Sequence, residues 1–210
     1  MAPSLLLIML NTIERWKTYT RHKWTIPMKQ IVLNTLDKPE IRKIAFGFGT
    51  IYINALSFES VKEAIKKDKI EVEYKSSLGA NTAKYRYTAN TLFLGFKDTG
   101  GSTDREALIV HECVHAIFDI AGKTMLVKQS EAAAYVTQVL YFYYRNESAI
   151  LAGSTPTFKD PILKAAWDVA MIARRRSNIT EKEVAPLYTA ISKHNLYKKN
   201  YNNDEKYDGV

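Results

Sequence analysis

A run of apolar residues in the middle of the chain, Ala107–Ala116, is interrupted by only three polar side chains, His111, Glu112 and His115. Its composition predicts a buried α-helix, and at 3.6 residues per turn the two histidines lie on one face, one turn apart. An unpaired carboxylate is costly to bury, so a glutamate between the histidines favours a metal site over two ordinary interior histidines. The sequence therefore predicts that His111 and His115 bind one metal ion.

Signals at both ends place this motif in the middle of a helix. Thr103 and Glu106 fit a capping box, in which the side chain of each residue pairs with the backbone amide of the other. Gly122 predicts the end of the helix, because glycine readily adopts the left-handed conformation that follows a helix C-terminus. The spacing of the motif thus falls where helical geometry applies.

Two histidines do not complete a zinc site, since a catalytic zinc ion usually has three protein ligands and a water molecule. The next helical segment, predicted to begin with Ser130 as its cap, offers Glu131 as the third ligand. The small residues Ala132–Ala134 would let the two helices approach closely. Another role for Glu131 is to stabilise the helix N-terminus. Asp119 and Glu147 are the alternative third ligands, although Asp119 lies about 12 Å along the helix from the first histidine.

The segment from Thr103 to Tyr144 resembles the gluzincin branch of the zincin metallopeptidases, in which H-E-x-x-H on one helix is completed by a glutamate on the next. The resemblance implies that His111, His115 and Glu131 bind one Zn²⁺ ion. It also implies that Glu112 is the general base. The motif and the downstream glutamate carry this resemblance.

Two features depart from familiar members of these families. An acidic residue often follows the glutamate ligand by four positions and orients a histidine, but this position holds Tyr135. We expect Asp119, which follows His115 by four residues, or a backbone carbonyl to orient the histidine instead. The glycine and third histidine of the related metzincin pattern are missing.

The resemblance implies a zinc-dependent hydrolase that cleaves amide bonds, hence a metallopeptidase. Zinc lowers the pKa of its bound water towards about 7, and Glu112 would accept the proton of that water. Tyr135, Tyr188 and His194 are the candidates for a donor that stabilises the oxyanion. Two alternatives are a zincin-like binding or regulatory protein with a structural or vestigial metal, and a basic nucleic-acid-binding protein. The intact Glu112 argues against the first alternative.

The net charge of +8 and the pI near 9.4 come from dispersed lysines and arginines without a nucleic-acid-binding motif. We therefore expect a peptide or protein substrate as the partner and no specific nucleic acid, and leave the oligomeric state open. The apolar run Leu5–Leu10 is too short for a membrane span and lacks the flanks of a signal peptide. A cytoplasmic location is the default expectation, with signal-independent secretion as the alternative. The single cysteine, Cys113, is expected to be a small buried hydrophobe.

Strand-like segments precede the metal helix and helices follow it. The fold class predicted is α+β and zincin-like, with a small mixed β-sheet packed on the active-site helix and a helical C-terminal half. Thr91–Phe96 is the candidate edge strand for an extended peptide substrate, or else an ordinary core strand. The other predicted elements of the first half are a strand at Gly49–Ile53, a helix at Ser60–Lys67 capped by Ser60 and Glu63, a strand at Ile70–Tyr74 and a strand at Ala83–Thr88 that forms a hairpin with Thr91–Phe96.

One domain is predicted to span residues 1–197, with residues 1–30 possibly peripheral and residues 11–35 irregular. Residues 198–210 are polar and predicted to form a flexible tail. The helices predicted for the second half are Gln129–Tyr144, Asp160–Arg175 and Thr180–His194.

Overall fold

The computed structural model describes residues 27–210. The apolar run Leu5–Leu10 and most of the peripheral segment 1–30 lie outside these residues. The helices are α1 (Met28–Leu36), α2 (Ala55–Lys66), α3 (Thr103–Ile120), α4 (Val127–Arg145), α5 (Glu147–Leu151), α6 (Pro161–Ala173) and α7 (Glu181–Lys193). The strands are β1 (Phe46–Phe48), β2 (Ile51–Ile53), β3 (Glu71–Tyr74), β4 (Ala83–Arg86), β5 (Thr91–Leu94), β6 (Thr124–Leu126) and β7 (Asp204–Lys206).

Two helices of the first half begin where the sequence patterns did not place them. Pro27 precedes α1 rather than interrupting an irregular segment, and Ile31 and Leu36 form part of the buried face of this helix. Helix α2 begins earlier than the predicted Ser60, because the Asn54 side chain accepts a hydrogen bond from the Ser57 amide and the Ser57 hydroxyl accepts one from the Asn54 amide. The prediction of a Ser60/Glu63 cap is therefore wrong. The capping box of Asn54 and Ser57 lies earlier in the chain and already satisfies amides at the start of the helix.

The main sheet has three strands in the order β3–β5–β4. Strand β5 pairs in parallel with β3 and antiparallel with β4, and the predicted hairpin of β4 and β5 is confirmed. The prediction that Thr91–Phe96 forms an edge strand is wrong, since β5 is the central strand. Its alternative, a core strand, agrees with the buried Leu92 and Leu94. Strand β4 is the edge that lies next to α3, where the Tyr85 amide donates to Glu112.

Helix α3 is the central helix of the core, and Ile109, Val110 and Cys113 are completely buried. The buried position of Cys113 agrees with the prediction. The cap of α3 is Ser102 rather than the predicted Thr103, since the Ser102 hydroxyl accepts a hydrogen bond from the Arg105 amide. The helix ends at Ile120, and Gly122 follows it as predicted, with a left-handed φ of +56° and an amide that donates to the Asp119 carbonyl.

Glu106, the expected partner of the Thr103 cap, has a different role. Its carboxylate lies 2.9 Å from Lys38 Nζ, and it accepts a hydrogen bond of 2.7 Å from the Tyr141 hydroxyl of α4. Arg145 at the end of α4 lies 3.3 Å from the same carboxylate. A buried carboxylate needs such partners, so Glu106 joins the two helices rather than closing a cap.

Helix α4 begins at Val127, three residues before the predicted cap Ser130. The Gln129 side chain accepts a hydrogen bond from the Leu126 amide, and the Val127 and Lys128 amides donate to the carbonyls of Asn203 and Tyr201, so Ser130 is not needed as a cap. Ala132, Ala133 and Ala134 are completely buried, as expected for a close approach to α3. The side chain of Ser130 is therefore available for another contact inside the protein.

The last two long helices are capped by the residues at which their predicted ranges begin. Asp160 accepts a hydrogen bond from the Ile162 amide at the start of α6. Thr180 and Glu183 form the capping box of α7, with the Thr180 amide donating to the Glu183 carboxylate at 2.9 Å.

The prediction of a loose C-terminal tail disagrees with the structure. Strand β7 pairs antiparallel with β6, and the side chain of Tyr207 is only 5% exposed. The Tyr207 ring packs against Tyr87 and Phe118, with ring centroids 5.3 and 6.0 Å apart. A single aromatic residue thus attaches a polar stretch of sequence to the core, which composition alone does not indicate.

The α+β class is confirmed in these residues: small sheets are packed with a mainly helical second half. None of the helices between residues 27 and 210 combines the length and the apolar character that crossing a bilayer requires.

Candidate functional site

The structure brings together the three side chains that were predicted to bind a metal. His111 and His115 project from one face of α3, with ring centroids 5.3 Å apart, and Glu131 faces them from the second turn of α4. His111 Nε2 lies 3.6 Å from Glu131 Oε2, and His115 Nε2 lies 3.8 Å from Glu131 Oε1. One potential ligand atom from each residue lies within 4.8 Å of the other two. We call these three residues the metal triad.

The metal triad offers two imidazole nitrogens and a carboxylate oxygen, donor types that divalent metal ions such as zinc take from proteins. Ligand atoms held at about 2.0 to 2.1 Å from a tetrahedral ion are about 3.3 to 3.4 Å apart. The two distances above, 3.6 and 3.8 Å, go to different oxygens of Glu131, and one ligand atom from each residue lies within 4.8 Å of the other two. Glu131 Oε2 is buried and has no hydrogen-bond partner among residues 27–210. A buried carboxylate oxygen without a partner is costly, and a cation between the three side chains would supply one.

The histidines and the carboxylate of the triad also shift one another's pKa values. Burial acts to lower the pKa of His111, but its contact with Glu131 and the charges of Glu112 and Glu131 outweigh burial and raise this pKa. Burial acts to raise the pKa of Glu131, yet the nearby His111 and His115 hold it below its ordinary value. Both directions have a shared cause, the pairing of the Glu131 carboxylate with the histidines of α3.

The Nδ1 atom of His111 is occupied by a contact inside the helix pair. It lies 2.9 Å from Gln138 Oε1, which can only accept a hydrogen bond, so Nδ1 carries the proton. In the neutral imidazole the lone pair of His111 is therefore on Nε2, the atom that faces Glu131. The Tyr135 ring packs edge-on against the imidazole, with centroids 4.6 Å apart, and restricts its rotation.

The Nδ1 atom of His115 has two hydroxyl partners. It lies 2.9 Å from Ser130 Oγ and 3.0 Å from the Tyr207 hydroxyl. These two hydroxyl groups are 2.7 Å apart, and Tyr207 also donates to Glu205 at 2.9 Å. His115 is thus held partly by α4 and partly by the C-terminal strand.

The expectation that Asp119 orients a histidine is wrong. Asp119 is completely buried and accepts a hydrogen bond of 2.5 Å from the Tyr85 hydroxyl and one of 3.1 Å from the Gly209 amide. It therefore connects α3 with β4 and the C-terminus. The other alternative third ligand, Glu147, instead pairs with Lys43 at 2.7 Å.

Glu112 lies beside the metal triad and next to the edge of the sheet. Its Oε2 accepts a hydrogen bond of 2.7 Å from the Tyr85 amide of β4, which leaves Oε1 for another partner. Burial raises the pKa of the Glu112 carboxyl, although the charges of His111 and His115 and the Tyr85 amide act in the opposite direction. A carboxylate with a raised pKa is a stronger base than an ordinary one, which suits Glu112 to accept and return a proton.

A cavity of about 420 Å³ gives access to these groups. Strand β4 lines one side of it, and Leu196 and Tyr197 line another. Glu112, His115 and Glu131 are also among its lining residues. The cavity is large enough for part of a peptide chain beside the candidate metal centre.

The three residues predicted as candidate oxyanion donors, Tyr135, Tyr188 and His194, lie in different parts of the structure. The Tyr135 hydroxyl is 3.1 Å from that of Tyr197, which lines the cavity. The Tyr188 hydroxyl is buried without a hydrogen-bond partner in the described part of the chain, and Lys128 Nζ lies over its ring. His194 ends α7, where its Nδ1 accepts a hydrogen bond from the Leu196 amide and its ring packs against Tyr197. In the described part of the chain, none of these three residues lines the cavity; Tyr197, which contacts Tyr135 and His194, does.

Sequence patterns did not identify several residues that contact the triad or the base. These residues come from separate elements and share no motif with H-E-x-x-H: Tyr85, Ser130 as a histidine partner, Gln138, Tyr197 and Tyr207. Only Gln138 carried a periodic signal, since it lies two turns after Glu131 on the same face of α4.

Comparison of the chain with protein-family models, curated proteins and solved structures gave no match. The functional argument therefore depends on the geometry of the site.

Proposed function

We propose that the protein is a zinc-dependent hydrolase that cleaves amide bonds in peptides, with a zincin-like catalytic domain. The observation that carries this proposal is the metal triad of His111, His115 and Glu131 with Glu112 adjacent to it in the wall of an open cavity. A structural zinc site usually has four protein ligands and is closed, whereas three ligands beside a cavity leave a position for water.

Different residues of the site would hold the ion and transfer a proton. His111 Nε2, His115 Nε2 and a carboxylate oxygen of Glu131 would hold Zn²⁺, which when bound supplies a Lewis acid and an acidified water. The Tyr85 amide fixes Oε2 of Glu112. Oε1 of Glu112 then accepts a proton from the attacking water and returns it to the leaving amide nitrogen.

The edge of β4 offers a place for an extended peptide. The Thr82 carbonyl accepts from the Gly95 amide towards β5, whereas the Tyr85 amide points to Glu112 on the opposite side. Backbone groups alternate along a strand, so those of Ala83 also point away from β5, towards the cavity. A substrate strand would pair with β4, the position first predicted for β5.

The test is Glu112→Gln, which keeps the shape and the acceptor for the Tyr85 amide but removes the base. We expect the variant to retain one zinc ion per chain by elemental analysis. Cleavage in a peptide-library assay should fall by about 10²- to 10⁴-fold. The matched control is Glu71→Gln, which removes the same charge from the exposed strand β3 at the far edge of the sheet.

Two results would contradict the proposal. Unchanged cleavage by Glu112→Gln would remove this residue as the base. A wild-type protein that binds zinc but cleaves no peptide in the library would support a binding protein with a structural metal instead.

A further inference from the structure

We propose that the C-terminal segment, residues 204–210, completes the candidate metal centre, with Tyr207 acting through Ser130 as a positioning residue for His115. This inference rests on the proposed zinc site but concerns a tyrosine that follows the histidine by 92 positions. Its basis is a continuous chain of hydrogen bonds from Glu205 to the imidazole.

The Tyr207 hydroxyl is held in place before it reaches the histidine. Strand β7 pairs with β6 in the register Met125 to Glu205, and the Tyr207 amide donates to the Lys123 carbonyl at 3.0 Å. The ring is buried between Tyr87 and Phe118. The hydroxyl therefore has a fixed position rather than a choice of rotamers in solvent.

The number of protons available sets the direction of each hydrogen bond. A phenol has one proton, and Tyr207 donates it to the Glu205 carboxylate, 2.9 Å away. The hydroxyl of Ser130, 2.7 Å away, must then donate to the Tyr207 oxygen. With both hydroxyl protons used, Nδ1 of His115 must itself carry a proton and donate it to Ser130 or Tyr207.

This arrangement selects one tautomer of His115. A proton on Nδ1 leaves the lone pair on Nε2, which faces Glu131. Partners of this kind fix the orientation of a ligating histidine and increase its basicity. The chain Glu205–Tyr207–Ser130 thus supplies the orienting function that was expected of Asp119.

The end of the segment is tied to the same region by a second contact. The Gly209 amide donates to Asp119, which also accepts from the Tyr85 hydroxyl. Tyr85 in turn holds Glu112 through its amide. The C-terminal segment therefore contacts the surroundings of both the metal triad and the proposed base.

The first test compares Tyr207→Phe with the wild type in zinc affinity, measured by competition with a chromophoric chelator. The variant keeps the buried ring and removes only the hydroxyl, and we expect zinc to bind about 10- to 100-fold more weakly. The control is Tyr201→Phe in the loop before β7. The Tyr201 ring lies near Lys128 of α4, and this variant should bind zinc like the wild type.

A second readout does not depend on metal. In the metal-free protein, ¹⁵N chemical shifts of His115 should report a proton on Nδ1 in the wild type and a mixture of tautomers in Tyr207→Phe. Ser130→Ala interrupts the same chain from α4 without altering the C-terminal segment, so it should weaken zinc binding in the same range even if Tyr207→Phe folds poorly.

The outcomes separate this inference from the proposed function. A wild-type protein that does not bind zinc overturns both. Tight zinc binding that is unchanged in both Tyr207→Phe and Ser130→Ala overturns the positioning role alone and leaves the metal site intact.

Discussion

The helix pair α3–α4 and the C-terminal segment contribute to the candidate centre in different ways. The helix pair supplies all three potential ligand atoms and the base, with the spacing of one helical turn between the histidines. The C-terminal segment supplies no ligand atom but contributes Tyr207 to the surroundings of His115. The difference teaches that a set of ligands can be encoded locally while the orientation of one ligand depends on a distant part of the chain.

The two histidines reflect this division. His111 is oriented within the helix pair by the neutral amide of Gln138. His115 is oriented by two hydroxyl groups that lead to the Glu205 carboxylate. Hydrogen bonds that involve a charged group are stronger than neutral ones, so the second arrangement should contribute more to zinc affinity.

The largest expected effect is that of Glu131→Ala, which tests whether the helix pair supplies the ligands. Removal of a ligand should weaken zinc binding by more than the roughly 100-fold upper range for residues outside the ligand set. Chelator competition measures the change. Glu205→Ala removes a carboxylate from the C-terminal segment that lines the same cavity, and its effect should be about 10-fold or less.

Equal losses of zinc affinity in Glu131→Ala and Glu205→Ala would contradict the conclusion that only the helix pair supplies ligands. They would mean that negative charge in the cavity, rather than coordination by one carboxylate, holds the ion. A larger loss for Glu205→Ala would assign the third ligand to the C-terminal segment.

A smaller effect is expected from Gln138→Leu, which removes the partner of His111 and keeps a similar volume. Zinc affinity should fall by about 10-fold, because the lost partner is a single neutral amide. Gln138→Glu keeps an acceptor for Nδ1, so it should bind zinc at least as well as the wild type in the same titration. A greater loss of zinc affinity in Gln138→Leu than in Tyr207→Phe would mean that the partner of His111 contributes more to zinc binding than the partners of His115.

The sequence was informative where a feature has a period. The positions of His111, His115 and Glu131 follow from helical spacing and one chain reversal at Gly122, and the structure places the three side chains together. The residue that caps a helix is harder to predict, because several polar residues near each helix start can accept the same hydrogen bonds. Ser102 replaced Thr103, and Ser130 was not needed as a cap.

Pairing over long distances could not be predicted from local pattern. Alternation identified β5 as a strand, but its place in the centre of the sheet follows from the parallel pairing with β3, which no local signal encodes. The same holds for Tyr207, which lies in a polar segment that composition describes as a tail. A buried contact of one aromatic residue changes the composition too little to be seen.

The smallest predicted effects concern the two carboxylates of the helix pair in the metal-free protein. The pKa of Glu112 is raised in the folded state, so its contribution to stability is fully present below the ordinary pKa and is lost as the pH rises through the folded pKa. The pKa of Glu131 is lowered, so its contribution is present above the ordinary pKa and is lost as the pH falls through the folded pKa. The two residues should therefore respond to replacement with opposite signs.

Urea unfolding of metal-free Glu112→Gln and Glu131→Gln between pH 4 and pH 7 measures this contrast. At pH 7 we expect Glu112→Gln to be more stable than the wild type and Glu131→Gln to be less stable, each by on the order of 1 kcal/mol. Both differences should shrink towards pH 4, where the ordinary carboxyl is largely protonated. Since neither residue lies in the C-terminal segment, Tyr207→Phe should leave the sign of both differences unchanged. A stabilising effect of Glu131→Gln at pH 7 would mean that the two histidines do not offset the cost of burying its carboxylate.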